Sequence, residues 1–306
     1  MDSLRTPELK HAVRKWVSPR LWAAAGRVKR RALDVLSDQL AAIFYICVSW
    51  APDLALVRLR ERLTLIRRLD SYDHELYLMV TSDVESLMRL KSCRKEPETV
   101  AWLDATFKSG DVLYDVGANV GAYSLVAARI GGQLARVVAF EPGYRTFSNL
   151  VDNVNINGLE KSITPLPIAL AEHTQLSSFT YSSVSSGSAS HPGLQDGPTE
   201  PSSDGHRVQT VVAAALDDIV VVLHLPPPTH LKIDVDGTEI SVLRGARAVL
   251  RAPGLRFIMI EIDHRNADAR SIEDFIVDAG FRLSGRTVHS DTHTSNCLYE
   301  RAGLGI

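Results

Sequence analysis

Between residues 111 and 279 short apolar runs alternate with longer, helix-periodic ones, and this alternation constrains the fold more than any other feature of the chain. Residues 112–116, 136–140, 163–169, 231–235 and 256–262 read as strands. Residues 122–130, 144–155, 238–250 and 271–279 read as the helices between them, the last with Ser271 as its cap. Gly131-Gly132 stops the first helix and Gly158 the second. Prolines at 165 and 167 make the third strand irregular or exposed. Residues 281–301 read as a closing strand pair. The pattern predicts an α/β fold, a mostly parallel sheet with helices on both faces and a C-terminal antiparallel strand pair.

Upstream, residues 97–107 read as a helix with Pro97 in its first turn and Gly110 in the left-handed position beyond it. Residues 74–80 read as a strand and 53–69 as helical or mixed. Residues 1–31 carry lysines and arginines from Arg5 to Arg31 against only Asp2 and Glu8. With the apolar run 40–51, broken only by Ser49, they define a basic helical extension over 1–70, and 71–306 form the main domain. That run is shorter than the ~20 apolar residues a membrane span needs, so it reads as a buried or interfacial helix ended near Pro52. The basic stretch reads as a solvated extension packed on the main domain; beside an apolar run it could also lie on an anionic membrane surface.

Fifteen of the 25 residues in 182–206 are Ser, Gly or Pro, a composition that cannot bury a core. A lid over a substrate and an unstructured tract both fit. The 306 residues hold 34 Lys and Arg against 36 Asp and Glu, a net charge of −2, which gives no support to a dedicated nucleic-acid binder. Cys47, Cys93 and Cys297 are odd in number, far apart and without zinc-type spacing, and no secretory signal is visible, so a reducing, cytoplasmic compartment is expected.

The most informative segment is Asp115-Val116-Gly117-Ala118-Asn119-Val120-Gly121, which follows a strand and opens a helix. Gly117 lets the chain turn sharply, and Gly121 permits close approach of helix and ligand. The spacing is G-x-x-x-G, not the full dinucleotide fingerprint. Asp115 would set a carboxylate near a dinucleotide's pyrophosphate, and two anions at that range repel. S-adenosyl-L-methionine (SAM), with a sulfonium, an ammonium and no phosphate, would be attracted instead. Glu141 ends the next strand 20 residues after Gly121, where an acid can accept hydrogen bonds from both ribose hydroxyls of either cofactor. Pro142 then turns the chain away.

The run from Asp111 to Pro142 resembles the cofactor half of an FkbM-type methyltransferase. The likeness rests on Gly110-Asp111, Asp115 to Gly121, Phe140-Glu141-Pro142, and a helix bearing Asn149, Asn153 and Asn157. It continues through Lys232-Ile233-Asp234-Val235-Asp236-Gly237-Thr238-Glu239, where Asp236 stands in place of the family's Glu, and Val242-Leu243-Arg244-Gly245-Ala246. It covers about residues 96–285 and leaves out 1–70 and 182–206. The resemblance implies a Rossmann-like class I methyltransferase fold and SAM-dependent methyl transfer to a hydroxyl of a sugar or other natural product. It implies that Asp115, Gly117, Ala118, Asn119 and Gly121 hold the methionine end, Glu141 with Pro142 the ribose, and Ala169-Leu170 the adenine surroundings.

A second acidic cluster, Asp234, Asp236 and Glu239, follows the fourth strand, and Glu261, Asp263 and His264 follow the fifth, both at ends that face a ligand crevice. An aliphatic hydroxyl is a poor nucleophile, so a carboxylate or histidine is expected to take its proton. Asp234 ranks first as base or acceptor anchor and His264 second. Asp236 and Glu239 equally suit stabilisation of a helix N-terminus. The acids could hold Mg²⁺, but the resemblance does not require a metal and none is assigned. Lys232 would pair with one of the acids or extend as a structural residue. His289, Asp291, His293 and Cys297 read as ordinary polar surface. Two other functions stay open: a nucleotide (NAD)-dependent oxidoreductase, against which Asp115 and the missing third glycine count, and a catalytically degenerate SAM-binding module. The acids at 234–239 argue against the second, since they exceed what cofactor binding needs.

Overall fold

A computed structural model describes residues 19–70, 75–181, 194–196, 207–289 and 293–303. The chain divides into two compact units, one up to Thr64 and one from Leu65. The first carries α1 (Pro19–Val48) and α2 (Asp53–Arg62). The run at 40–51, expected to be buried or interfacial, lies mostly on α1 with Leu40, Ile43, Phe44 and Ile46 exposed. α2 buries no residue. Among the described residues no helix is long and apolar enough to cross a membrane. Residues 1–18 of the extension lie outside the described residues.

The second unit opens with β1 (Ile66–Arg68) paired antiparallel to β2 (Tyr77–Met79), so residues 65–70 go with it and not with the extension. α3 (Asp83–Leu87), α4 (Ser92–Lys95) and α5 (Pro97–Thr106) follow. The repeating part runs β3 (Val112–Val116), α6 (Ala122–Gly131), β4 (Arg136–Phe140), α7 (Tyr144–Ile156) and β5 (Ile163–Leu166). Next come β6 (Ile168–Leu170), β7 (Gln175–Tyr181), β8 (Leu194–Asp196), β9 (Arg207–Ala214) and α8 (Leu216–Val222). The chain closes with β10 (His230–Ile233), α9 (Glu239–Arg244), α10 (Arg247–Arg251), β11 (Phe257–Asp263), α11 (Ala269–Asp278), β12 (Phe281–Val288) and β13 (Thr294–Arg301).

The main sheet has the order β12-β13-β11-β10-β3-β4-β5, parallel except for β13, which runs against both neighbours. This is the expected Rossmann-like architecture with its C-terminal antiparallel pair. Both faces are covered, which is why β3 is buried at every residue and reads as an apolar run interrupted only by Asp115. Alternation sorts the side chains. Val112, Tyr114 and Val116 pack with α8 to α11, while Leu113 packs with α5, α6 and α7.

Four expectations change on packing. The single strand at 163–169 becomes β5 and β6, which lie in different sheets on either side of Pro167, a residue with no N–H for a ladder. The helix at 238–250 breaks at Gly245, where a Cβ would come within 2.0 Å of the Ala171 carbonyl oxygen. The last helix starts at Ala269 after Asp268, so Ser271 lies within it and is not its cap. A second sheet, β6-β9-β7-β8, was not expected at all, and Leu194–Asp196 of the presumed loop form its edge; the rest of 182–206 lies outside the described residues.

The asparagines of α7 have a structural task. Asn153 Oδ1 accepts from the Met79 N–H at 2.7 Å, and its Nδ2 donates to the Val120 carbonyl at 2.9 Å. Asn157 accepts from the Tyr77 N–H and donates to its carbonyl. One helix face thus satisfies the outer edge of β2 and ties it to the turn after β3.

Candidate active site

The connections run from β3 out to β5 on one side and return to β10 and β11 on the other, so the strand order reverses between β3 and β10. Ligands of open α/β sheets sit outside the strand carboxyl ends at such a point. A cleft of about 940 Å³, partly open to solvent, lies there. Gly117 and Asn119 line it after β3, Glu141 and Pro142 after β4, and Asp234 and Asp236 after β10. Ile168, Ala169, Leu170 and Phe179 of the second sheet form an apolar wall, and Glu261, Arg89 and Lys95 also line the cleft.

The turn after β3 is held by its own hydrogen bonds. Gly117 sits at φ +78°, and a Cβ there would stand 2.0 Å from the Asp234 carbonyl oxygen. The N–H groups of Gly117 and Ala118 both donate to the Phe140 carbonyl at 3.0 Å, and that of Gly121 to Ala118 at 2.8 Å. The Asn119 N–H donates to Glu141 Oε2 at 2.9 Å, and the Val120 N–H to Asn119 Oδ1 at 3.0 Å. Five consecutive N–H groups are therefore committed inside the protein, and none is left to cradle a phosphate in the manner of a dinucleotide loop. The other Glu141 oxygen, Oε1, accepts from the Gly143 N–H at 2.8 Å.

Of the residues expected at the site, Gly117, Asn119, Glu141, Pro142, Ala169 and Asp234 line the cleft. Asp115, Ala118 and Gly121 lie behind the lining. Gly121, expected to make room for a ligand, makes room for Leu150 of α7, whose Cδ1 would be 2.4 Å from an added Cβ. His264 lies outside the lining too, and its Nε2 is 2.6 Å from Ser295 Oγ.

Beneath the cleft sits a buried charge cluster on the α5–α6 face. Parallel register sets Lys232 of β10 beside Asp115 of β3. Lys232 Nζ is 2.8 Å from Asp234 Oδ2, 3.9 Å from Asp115 Oδ1 and 5.0 Å from the centre of the Tyr123 ring. Burial works against the ammonium, but Asp234, Asp115 and Glu96 outweigh it and raise its pKa. Asp115 Oδ2 accepts from Ser124 Oγ at 2.6 Å, while Oδ1 has no hydrogen-bond partner. Burial raises the Asp115 pKa against the opposing pull of Lys232. Asp234 goes the other way: burial works against its charge, but Lys232 holds its carboxyl below the ordinary range.

Two further acids shift upward. Burial, with Asp234 and Glu96 adding to it, pushes Glu261 up to about 8. Burial pushes Glu239 up to about 7, even though its Oε1 accepts from the Gly237 N–H at 2.9 Å. A raised carboxyl means the native state holds protons that the unfolded chain has released, so stability falls as pH rises from its ordinary value toward its folded one. Glu261→Gln is therefore expected to be more stable than the parent above pH ~8, with the difference shrinking toward pH ~4.5. Urea midpoints across that range check this, and a constant difference would contradict the assigned shift.

Sequence reasoning did not find Arg89, Lys95 and Glu96, which come from the segment over the sheet's carboxyl edge. Lys95 Nζ is 2.9 Å from Glu96 Oε1, and Glu96 is almost fully buried. The available signal was a charged pair just before a helix-starting proline, a pattern common on ordinary surfaces. Lys232 does pair with the acids, as one of its two readings required. Among the described residues no group of three or more His, Cys, Asp or Glu converges as metal ligands. Cys297 is buried, and the described part of the C-terminal polar group also departs from a plain surface at His289. Asp291 lies outside the described residues.

The profile described as Methyltransferase FkbM domain matches residues 115–283, more than half of the chain. Hexuronic acid methyltransferase AglP of Haloferax volcanii is 27% identical over 196 residues, 64% of this chain and 74% of that protein. Methyltransferase 1 of Beauveria bassiana is 28% identical over 151 residues, 46% of this chain and 60% of that protein. The crystal structure of Methyltransferase FkbM from Methylobacillus flagellatus KT aligns with 18% identity and a TM-score of 0.45, over 63% of this chain and less than half, 44%, of that one. The profile spans the glycine turn, the Phe140-Glu141-Pro142 strand end and the acidic cluster of β10, the same elements that build the cleft: this chain belongs to the FkbM methyltransferase family.

Proposed function

We propose that this chain is a SAM-dependent O-methyltransferase acting on a hydroxyl of a sugar or related small molecule. The carrying observation is the order of chemistries along one cleft. An apolar wall of Ile168 to Leu170 with Phe179 suits an adenine, Glu141 at the end of β4 suits a ribose, and Asp234 and Asp236 on the β10 side suit a cationic methionine end. The residues fit the cofactor on a second count: the committed N–H groups of the turn disfavour a pyrophosphate, whereas a SAM needs no phosphate cradle. Glu141 Oε2 accepts from the Asn119 N–H and Oε1 from the Gly143 N–H, which aims the carboxylate at the strand end where a ribose would lie.

When bound, SAM supplies the methyl group: the S–CH₃ bond breaks with its electron pair going to sulfur, an acceptor oxygen lone pair forms the new O–CH₃ bond, and the hydroxyl proton leaves. The chain's own part is to bind, orient and accept that proton. Asp234, kept ionised by Lys232, anchors a donor group of cofactor or acceptor at the strand end. Positioning of the oxygen in line with the methyl group accounts for much of the rate in such displacements. The Haloferax relative is named for a hexuronic acid, which supports a sugar acceptor.

Calorimetric titration with S-adenosylhomocysteine should give micromolar or tighter binding, and NAD should not bind. Glu141→Gln should weaken S-adenosylhomocysteine by about 10- to 100-fold, the worth of a charge-assisted hydrogen bond. Unchanged affinity would remove Glu141 from the ribose site. Asp234→Asn should weaken S-adenosylhomocysteine as well and lose methyl transfer from radiolabelled SAM to a panel of uronic acids and glycosides. If the parent protein binds neither SAM nor its product, the reading fails.

A further inference from the structure

The reaction needs a group to take the acceptor's proton, and the cleft offers four carboxylates. Glu141 has both oxygens bonded to backbone N–H groups, which fix its direction. Asp234 is paired with Lys232 at 2.8 Å and is a weak base. Asp236 is exposed at the cleft rim. Glu261, on β11, lines the cleft and faces the same side of the sheet as Lys232 and Asp234. His264, the other residue expected to act on the proton, is held by Ser295 away from the lining.

Behind Glu261 lies a polar chain that none of the cofactor contacts uses. Its Oε2 is 3.4 Å from His289 Nδ1, beyond the end of β12. The other ring nitrogen, Nε2, is buried without a hydrogen-bond partner and is 3.7 Å from Glu98 Oε1 on α5. Glu98 Oε1 is fixed in turn by Asn296 Nδ2 at 2.8 Å, and Asn296 is the register partner of Glu261 on β13. One helix, two strands and the residue that follows β12 thus converge on an acid–imidazole–acid arrangement whose inner end opens on the cleft. Such contacts are commonly long before substrate arrives and tighten in the reacting complex.

We propose that Glu261 is the base that takes the acceptor's hydroxyl proton, and that His289, seated between Glu261 and Glu98, is the positioning residue that holds its carboxylate toward the cleft. The inference rests on the methyl-transfer reading above and assigns its proton. As the acceptor oxygen forms its bond to the methyl carbon, the O–H bond breaks and the proton passes to a Glu261 oxygen, leaving a neutral ether and a neutral carboxyl that solvent later deprotonates. The charged groups facing Glu261 are Asp234 and Lys232 from β10, Lys95 and Glu96 from the segment before α5, and His289. The acids and burial favour the protonated form while the lysines oppose it, so the carboxylate is a stronger base than an ordinary glutamate.

The test has two arms. In the first, carboxyl titration of the full chain is followed by ¹³C NMR with labelled glutamate, with no acceptor present. One carboxyl is expected to titrate near pH ~8, to vanish in Glu261→Gln and to move upward in His289→Ala, with His289→Gln, which keeps an N–H donor, moving it less. In the second, methyl transfer from SAM to methyl glucuronide is measured against pH. The parent should gain activity through the same pH range, and Glu261→Gln should lose about 100-fold or more in kcat and lose that pH limb while binding S-adenosylhomocysteine as the parent does. His289→Ala should lower kcat more than it raises KM and shift the limb. A glutamate titration near pH ~4.5 for every residue, or a Glu261→Gln variant with parental kcat, overturns the assignment. Absence of methylation with intact S-adenosylhomocysteine binding would overturn the acceptor class instead, and the NMR arm would still decide the role of Glu261.

Discussion

Lys232→Met is expected to destabilise the protein by about 3–5 kcal/mol, the cost of removing one partner of a buried ion pair. Lys232 Nζ is the cation nearest to Asp115, which is almost fully buried and has one oxygen without a hydrogen bond. Without the ammonium, Asp115 must be desolvated as an anion or take up a proton to fold. The deficit should therefore shrink at low pH, where the proton is available. Asp234 loses its partner too but stays partly hydrated, with 32% of its side chain exposed, and contributes less. Adding Asp115→Asn removes the stranded charge and should recover much of the loss, as replacement of whole buried pairs often does. Urea denaturation of the two single variants and the double variant measures this. A loss under ~1 kcal/mol for Lys232→Met would mean that the buried aspartate does not need its cation.

Gly117→Ala is the second large effect. The residue sits at φ +78°, which costs an alanine ~1–2 kcal/mol on its own. The added Cβ would also stand 2.0 Å from the Asp234 carbonyl oxygen and 2.9 Å from its carbon, both main-chain atoms. They cannot rotate away, so the carboxyl ends of β3 and β10 must part. That strains the Asp234 N–H bond to the Val116 carbonyl at 3.0 Å and moves Asp234 itself. The expected result is a loss of several kcal/mol together with at least a tenfold loss of S-adenosylhomocysteine affinity. Gly121→Ala is the control. Its φ is +87°, but its Cβ would meet the tip of Leu150, a side chain that can move. If thermal melts show Gly121→Ala to be as damaging as Gly117→Ala, the close approach of strand ends is not what Gly117 provides.

The sheet was legible because its period is local. β3 and β4 fall on the residues expected from their apolar runs, since a strand covered on both faces is mostly apolar, with buried Asp115 in β3 and exposed Arg136 in β4 the exceptions. The strand at 163–169 and the helix at 238–250 were placed but not divided, because the breaks at Pro167 and Gly245 depend on the sheet that each half joins. β7 and β9 escaped altogether. β7 buries Ser177 and Ser178 completely, against the rule that a strand's inward positions are apolar, so its pattern carried no signal. In the site, the glycine turn, Glu141 and Asp234 were legible because a residue directly after a strand of an open sheet must lie at the crevice. Glu261 was grouped with Asp263 and His264, and only side-chain direction separates them: Glu261 lines the cleft, Asp263 pairs with Arg265, and His264 turns to Ser295.

The sequence by itself determined where the strands end, and therefore which acids stand at the crevice, because hydrophobic period and turn glycines act over a few residues. Tertiary structure alone decided what those acids do. Lys95, Glu96, Glu98 and His289 reach the site from segments up to about two hundred positions apart, and Lys232 is buried between two carboxylates by strand register. A carboxyl's proton affinity is set by its loss of water and by charges within a few ångströms, and both exist only once the chain has packed.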